Sequence, residues 1–324
     1  VTIINIKSAP KRALTEVFMD INNYTPSYSG LYGKNFVSVE NLSPEEIYEV
    51  LYTAKLLKLK TAAGERLTSL FLKNIVMLSK TSEPGLRITF EVAIRKLCGN
   101  IVNLSLGGKQ LENLVATGDT LTVAKNLGLD GIVVSTEENN DALSVKSLSS
   151  VPVINGNNLQ SPCLAISALL TLWEKYGKLR GLTVAVAGDA KSNPAIIQAA
   201  AKCGITLHVA SPADKEIPQE VVDSYAIYGT ILKFDDLETA AEDADAIIIL
   251  PTSEPQEGFC VTEKHIEKMN GNASVIGFFP LKHGVEIEAE LIADERFLKE
   301  KLAENLLYTE EAVLSLIFDK KIDN

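Results

Sequence analysis

The chain has 324 residues, 46% of them hydrophobic and 23% charged, the balance of a globular protein long enough for two ordinary domains. A formal charge of -11 and a pI near 5.0 disfavour nucleic acid and anionic membranes as partners, because lysines and arginines are scattered with no local basic patch. No apolar run approaches the roughly 20 residues that cross a bilayer, and the opening Val1–Ser8 lacks the basic-then-apolar layout of a secretory signal.

Residues 1–30 carry little periodicity and read as an irregular lead-in ending in Tyr24-Thr-Pro-Ser-Tyr-Ser-Gly30. A short apolar stretch, Asn35–Val39, precedes Ser43, Pro44 and Glu46, a helix-start signal. Ile47, Val50, Leu51 and Ala54 then continue an amphipathic helix to about Lys58. Strands and helices alternate from there. Strands are expected at Asn74–Ser79, Ile101–Ser105, Gly131–Ser135 and Val151–Asn155, with helices at Arg87–Cys98 and Asp119–Asn126. A long helix, Pro162–Tyr176, leads into a second series. Its strands are Thr183–Ala187, Thr206–Ala210, Ile231–Phe234, Ala246–Leu250 and Ser274–Gly277. Its helices are Ala195–Cys203, a segment near Glu216–Tyr225, Leu237–Ala241 and a C-terminal Glu311–Phe318. This alternation predicts an α/β protein of two doubly wound parallel-sheet domains joined by a long interdomain helix.

The chemistry-bearing residues are sparse. Cys98, Cys163, Cys203 and Cys260 lack the short paired spacing of a zinc ribbon or a CxxC redox site, and read as buried thiols of a cytoplasmic protein. His208, His265 and His283 form no metal-ligand spacing, so no metal is expected. Val186-Ala-Gly-Asp-Ala-Lys-Ser-Asn-Pro194 places a glycine turn between strand and helix. It has one glycine where a dinucleotide fingerprint needs three, so no cofactor is expected either. There is no GxxxxGK[ST] loop and no GxSxG elbow.

Several strings resemble the aspartate/ornithine transcarbamylase family, with the resemblance strongest to aspartate transcarbamylase catalytic chains. Leu31-Tyr-Gly-Lys-Asn-Phe-Val-Ser-Val-Glu-Asn-Leu-Ser43 is similar to the opening of those chains. Arg87-Ile-Thr-Phe-Glu-Val-Ala93 resembles the helix after the carbamoyl-phosphate loop. Val151–Gly156, Ser161-Pro-Cys163 and Ala168–Trp173 resemble the interdomain region, and Val186–Lys191 the start of the second domain. The resemblance implies a carbamoyl-phosphate-type N-terminal domain, 31–160 plus 305–324, and an amino-acid-binding-type C-terminal domain, 161–304.

It also marks losses. The family's Ser-Thr-Arg-Thr-Arg phosphate loop corresponds to Glu83-Pro-Gly-Leu-Arg87, so only Arg87 persists, Glu83 replaces a hydroxyl and Pro84 removes an N–H. Its His-Pro-(Cys or Thr)-Gln motif corresponds to Ser161-Pro-Cys-Leu164, where Ser161 keeps one hydrogen bond and Leu164 none. An Arg that polarises the carbamoyl carbonyl corresponds to Ser135. A Lys-bearing loop corresponds to Leu114–Asp119, which has no Lys. The acceptor loop corresponds to Pro251–Gly258, which has no Arg and no Ser-Met-Gly. The late His-(Cys or Pro)-Leu-Pro motif corresponds to Phe279-Pro280-Leu281-Lys282, which keeps the backbone carbonyls of Pro280 and Leu281 and gains a cation at Lys282.

The candidate ligand-binding residues are therefore Glu83, Arg87, Ser135, Ser161, Leu164, Pro280, Leu281 and Lys282, with no catalytic residue assigned. Because both half-sites are altered, the leading expectation is an inactive structural or regulatory subunit. It would form a homotrimer, or a hetero-oligomer with an active paralogue. A carbamoyltransferase of altered donor or acceptor and a small-metabolite binding protein are the alternatives.

Overall fold

The structure, a computed structural model, describes residues 30–79, 84–106, 110–136, 139–156, 160–251, 258–278 and 281–320. It is an α/β protein with two parallel sheets. In the first, β1 (Asn74–Ser79), β2 (Asn100–Ser105), β3 (Gly131–Ser135) and β4 (Val153–Gly156) pair in the order β2-β1-β3-β4. β1, β3 and β4 are near-continuous runs of buried Val, Ile, Leu and Met, as expected for strands covered on both faces. β2 is an edge strand and mostly exposed. The far edge is covered: Phe36 bridges Ile154, its N–H donating to the Val153 carbonyl at 2.8 Å, while Asn35 Oδ1 accepts the Val153 N–H at 2.9 Å. The apolar stretch foreseen at 35–39 thus closes the sheet on the β4 side.

Helices fill the connections. α1 (Pro44–Ala62) buries Ile47, Val50, Leu51, Ala54 and Leu57 at three- and four-residue steps, and starts on Pro44, whose missing N–H would be unsatisfied there in any case. α2 (Pro84–Lys96) follows β1, α3 (Gln110–Thr117) and α4 (Asp119–Thr122) follow β2, and α5 (Asn139–Leu148) follows β3. α6 (Pro162–Tyr176) is buried on all sides from Pro162 to Trp173, because nearly every residue there is apolar or small.

The second sheet comprises β5 (Thr183–Ala187), β6 (Thr206–Ala210), β7 (Thr230–Phe234), β8 (Ala246–Ile249) and β9 (Ser274–Gly277), in the order β7-β6-β5-β8-β9. α7 (Pro194–Lys202), α8 (Gln219–Tyr225), α9 (Leu237–Ala241) and α10 (Glu263–Glu267) lie between the strands, and α11 (Lys299–Phe318) ends the described chain. Ala185, Leu237, Ile247, Val261 and Val275 are among the residues of one core beside this sheet.

The chain forms two compact units. One contains Glu46–Leu170 with 30–42 and 303–320; the other contains Thr171–Leu302 with Ser43–Glu45. The divisions fall inside α6 and α11, whereas the sequence reading divides the chain at 160 and 304.

Three helices, α3, α5 and α10, are absent from the sequence-based expectation. Each is ten residues or fewer, and α3 signals itself only by Leu111, Leu114 and Val115. α11 is 20 residues long, where the sequence predicts it only from Glu311. Its first half buries Leu302 and Leu306 with the polar Asn305 between them, so the apolar signal there is only two residues long.

The end of α11 also fixes the start of β3. Gly131 lies under the Phe318 ring, where a β-carbon would run into the ring atoms. Gly131→Ala should destabilise the protein by about 1–3 kcal/mol through overpacking. Phe318→Leu in the same chain should recover part of that loss, so a double-mutant cycle of thermal or urea unfolding will show coupling between the two positions.

Candidate functional site

Parallel pairing brings every strand of the first sheet to one carboxyl edge, where ligands bind in open α/β sheets. The pairing aligns Ser105, Ser79, Ser135 and Gly156 across that edge. Ser79 and Ser135 are buried, and the Ser79 hydroxyl has no hydrogen-bond partner. Ser135, the residue matching a carbonyl-polarising Arg by resemblance, offers only a short uncharged side chain. Thr136, next in the chain, is buried as well.

Ser161 sits where the chain turns from β4 into α6. Its hydroxyl donates to the Asn155 carbonyl at 2.9 Å and accepts the Cys163 N–H at 3.3 Å. Both interactions tie the turn to itself, as an N-terminal capping hydroxyl does. Leu164, in the first turn of α6, is buried and has no polar atom to give. Asn155 is held in turn by the 35–37 segment: its N–H donates to Phe36 at 2.9 Å and its Nδ2 to the Val37 carbonyl at 3.1 Å. Burial pushes the Cys163 thiol well above the ordinary range, and the Glu310 carboxyl adds to the effect.

α2 opens on Pro84, which supplies no N–H at the helix's positive end. Arg87 lies in the first turn of this helix; its side chain, like Glu83 and Pro280, lies outside the described residues.

In the other unit, strand order reverses between β6 and β8 around β5, the topological switch point of the sheet. Gly188 occupies it with φ +115, and a β-carbon there would lie 2.9 Å from the Leu250 carbonyl oxygen. Only glycine suits that close approach. The buried Asp189 carboxylate accepts the Ser192 N–H at 2.9 Å, and Asn193 Nδ2 donates to the carbonyls of Asp189 at 2.7 Å and Pro251 at 3.3 Å. Asn193 Oδ1 and the Ser211 hydroxyl are both buried and unpartnered. Orphan polar atoms at a switch point are where a small ligand would complete the hydrogen bonding.

Leu281 and Lys282 follow β9 in this same unit. The Leu281 side chain lies over Gly277, where a β-carbon would be 2.7 Å from its Cδ1. The Lys282 side chain is exposed, while its N–H donates to the buried Glu286 carboxylate at 2.8 Å and its carbonyl accepts the Glu286 N–H at 2.9 Å. The side chain is on a solvated turn that Glu286 pins from below.

Of the sequence-based candidates, then, Ser135 ends β3 at the first sheet's carboxyl edge, Ser161 and Leu164 open the helix after β4, and Leu281 and Lys282 belong to the second unit. Sequence reading missed Ser79, Asn155, Asn193 and Ser211. Ser79 and Asn155 end or nearly end their strands and Ser211 immediately follows β6, and that position is the signal that would have found them. Among the described residues there is no cluster of three or more His, Cys, Asp or Glu placed to hold a metal. No described helix is long and apolar enough to cross a membrane, and all four cysteines are free thiols.

Family models for the aspartate/ornithine carbamoyltransferases match almost the whole described chain. The carbamoyl-P binding domain matches residues 34–174 and the Asp/Orn binding domain residues 180–317. The ornithine carbamoyltransferase of Anoxybacillus flavithermus is 31% identical over 304 residues, covering 88% of this chain and 96% of that one. That of Pyrococcus abyssi is 28% identical, covering 89% and 96%. Among solved structures, ornithine carbamoyltransferase from Pyrococcus furiosus superimposes with a TM-score of 0.82 at 26% identity, covering 89% of this chain and 98% of that one. Aspartate transcarbamoylase from Trypanosoma cruzi, in complex with phosphate, shares the fold with a TM-score of 0.76 at 19% identity, covering 90% and 97%. Family models over both domains, sequence relatives and the superimposed fold agree: the chain belongs to the aspartate/ornithine carbamoyltransferase family.

Proposed function

We propose that this family member is catalytically silent and acts as a structural or regulatory subunit, assembled as a homotrimer or with an active carbamoyltransferase. The observation that carries the reading is the first sheet's carboxyl edge, where Ser135, Ser161 and Leu164 stand at positions that, by resemblance, hold an Arg, a His and a Gln. The Ser161 hydroxyl is engaged with Asn155 and Cys163, Leu164 offers no donor, and Ser135 brings no charge. Losing one electrophilic donor typically lowers a rate by about 100- to 1,000-fold, and three such losses leave little transition-state stabilisation. The Glu83-Pro84 pair adds a carboxylate and removes an N–H where a dianion would sit. Like charges at about 4 Å repel by roughly 4 kcal/mol at an effective dielectric near 20.

The assembly half of the proposal is supported by an uncovered apolar face. Ile88 and Val92 lie four residues apart on the outer side of α2 and are 56% and 38% exposed; Val102 and Leu104 on the edge strand β2 are 45% and 44% exposed. Apolar side chains at one helical face and on an adjoining sheet edge are the pattern of a contact surface.

A second reading, a small-ligand binding protein, is favoured by the orphan Asn193 Oδ1 and Ser211 hydroxyl in the second unit. It is compatible with silence, since binding an amino acid there needs no carbamoyl donor.

Calorimetric titration with carbamoyl phosphate, run beside a carbamoylation assay with aspartate and with ornithine, should give no heat and no product. Saturable heat that disappears in Arg87→Ala would instead assign a rebuilt phosphate site, and product formation would restore the enzyme reading.

For the assembly, light scattering on the purified chain should report an oligomer at micromolar concentration. Val102→Lys combined with Ile88→Glu should yield a folded monomer with unchanged far-UV circular dichroism. An unaltered mass in that variant would remove this face from the interface.

A further inference from the structure

α11 buries more ionisable groups than a core helix normally tolerates. Glu310 and Glu311 are fully buried, with Asn305 and Thr309 on neighbouring turns. Thr89 Oγ1 of α2 donates to Glu310 Oε1 at 2.8 Å, while Glu310 Oε2 has no partner. Lys96 Nζ of α2 lies 2.5 Å from Glu311 Oε1, an ion pair in which neither Glu311 oxygen makes a well-aligned hydrogen bond. On the α1 side, Lys58 reaches Glu304 at 3.0 Å and Asn305 Oδ1 at 2.7 Å. Both ammonium groups also flank the Tyr308 ring, at 5.6 Å for Lys58 and 4.7 Å for Lys96.

The charged and titratable groups tied to Glu310 are Cys163 from α6, Glu311 from α11 and, through Glu311, Lys96 from α2; Lys58 from α1 meets the same helix at Glu304, Asn305 and Tyr308. Both cations are already matched, Lys58 with Glu304 and Lys96 with Glu311. Glu310 is left, among the described residues, with one neutral hydroxyl. A lone carboxylate in that setting would be an uncompensated buried charge, which costs far more than a buried neutral acid.

We propose that Glu310 is a proton-linked latch on the C-terminal helix: α11 stays docked against α2 and α6 while this carboxyl carries its proton, and loosens when the proton leaves. Burial, reinforced by the Glu311 charge, pushes Glu310 well above the usual carboxylate range, against the opposing Thr89 hydrogen bond. Burial raises Glu311 as well, despite Lys96. The folded chain thus holds a proton that the unfolded chain has given up. The stabilisation is complete below the unfolded carboxyl's range and is lost as pH rises through the raised folded value. Because Thr89 lies five residues into α2, the latch bears on the helix whose first turn carries Arg87.

The test is thermal unfolding of the full chain between about pH 5 and about pH 9, with hydrogen exchange of the 299–318 amides. The wild type should lose melting temperature and α11 protection as pH rises. Glu310→Gln, which keeps an acceptor for Thr89 but cannot ionise, should show a flatter profile and a higher melting temperature at the alkaline end. Thr89→Val removes the bond that favours the ionised form, and should move the transition to higher pH, which a packing role alone would not do. A Glu310→Gln profile parallel to wild type, or a Thr89→Val variant with an unmoved transition, would overturn the latch. If Glu310→Gln does not fold, the Thr89→Val shift decides alone.

Discussion

Parallel pairing imposes one condition on the rest of this molecule: every strand of a sheet must end on the same edge. Each connection then returns as a crossover to the opposite edge, helices cover the faces, and the carboxyl edge is left to loops and helix starts. The two sheets each obey this rule. Whatever chemistry the chain performs must come from the few residues that end strands β1 to β4 or β5 to β9 and open the helices after them.

On the first sheet those residues are small and uncharged. Aligned serines on three neighbouring strands and a glycine on the fourth give an edge that accommodates close backbone approach but supplies little field. Ser161 illustrates how a residue at this edge can serve the fold itself. A hydroxyl at the start of α6 is well suited to capping the helix and holding Asn155, so the substitution that removes a donor from the ligand strengthens the turn. Glu286 does comparable work in the second unit, where its buried carboxylate fixes the backbone of the Lys282 turn.

The second sheet also keeps hydrogen-bonding capacity. Gly188, Asp189 and Asn193 knit the switch point together, yet leave Asn193 Oδ1 and Ser211 without partners. The Ser79 hydroxyl on the first edge is likewise buried without a partner, so each sheet keeps an unsatisfied polar atom at its carboxyl edge. The C-terminal helix adds a separate layer. Its buried carboxyls contribute nothing to either edge, and their burial makes the packing of α2 and α6 sensitive to protons.

The sequence by itself determined the alternation of strands and helices, the two-domain α/β class and the family, because buried strands such as β1 and β8 are apolar throughout and α6 is apolar all round. By resemblance it also singled out positions 135, 161 and 164 as differing from the family's motifs, since these are matters of residue type. It did not reveal α3, α5 or α10, whose apolar signal is two or three residues long, nor the first half of α11. There Leu302 and Leu306 face inward with Asn305 between them, and a polar side chain carries no mark in sequence that it will be buried. Only the tertiary structure decided that the Ser161 hydroxyl is already engaged, that the Lys282 side chain faces solvent, and that Glu310 has, among the described residues, one neutral partner. The first two depend on side-chain rotamers within a turn, which residue type does not fix, and the third on Thr89 and Glu310, far apart in the chain, whose proximity is set by packing rather than by local pattern.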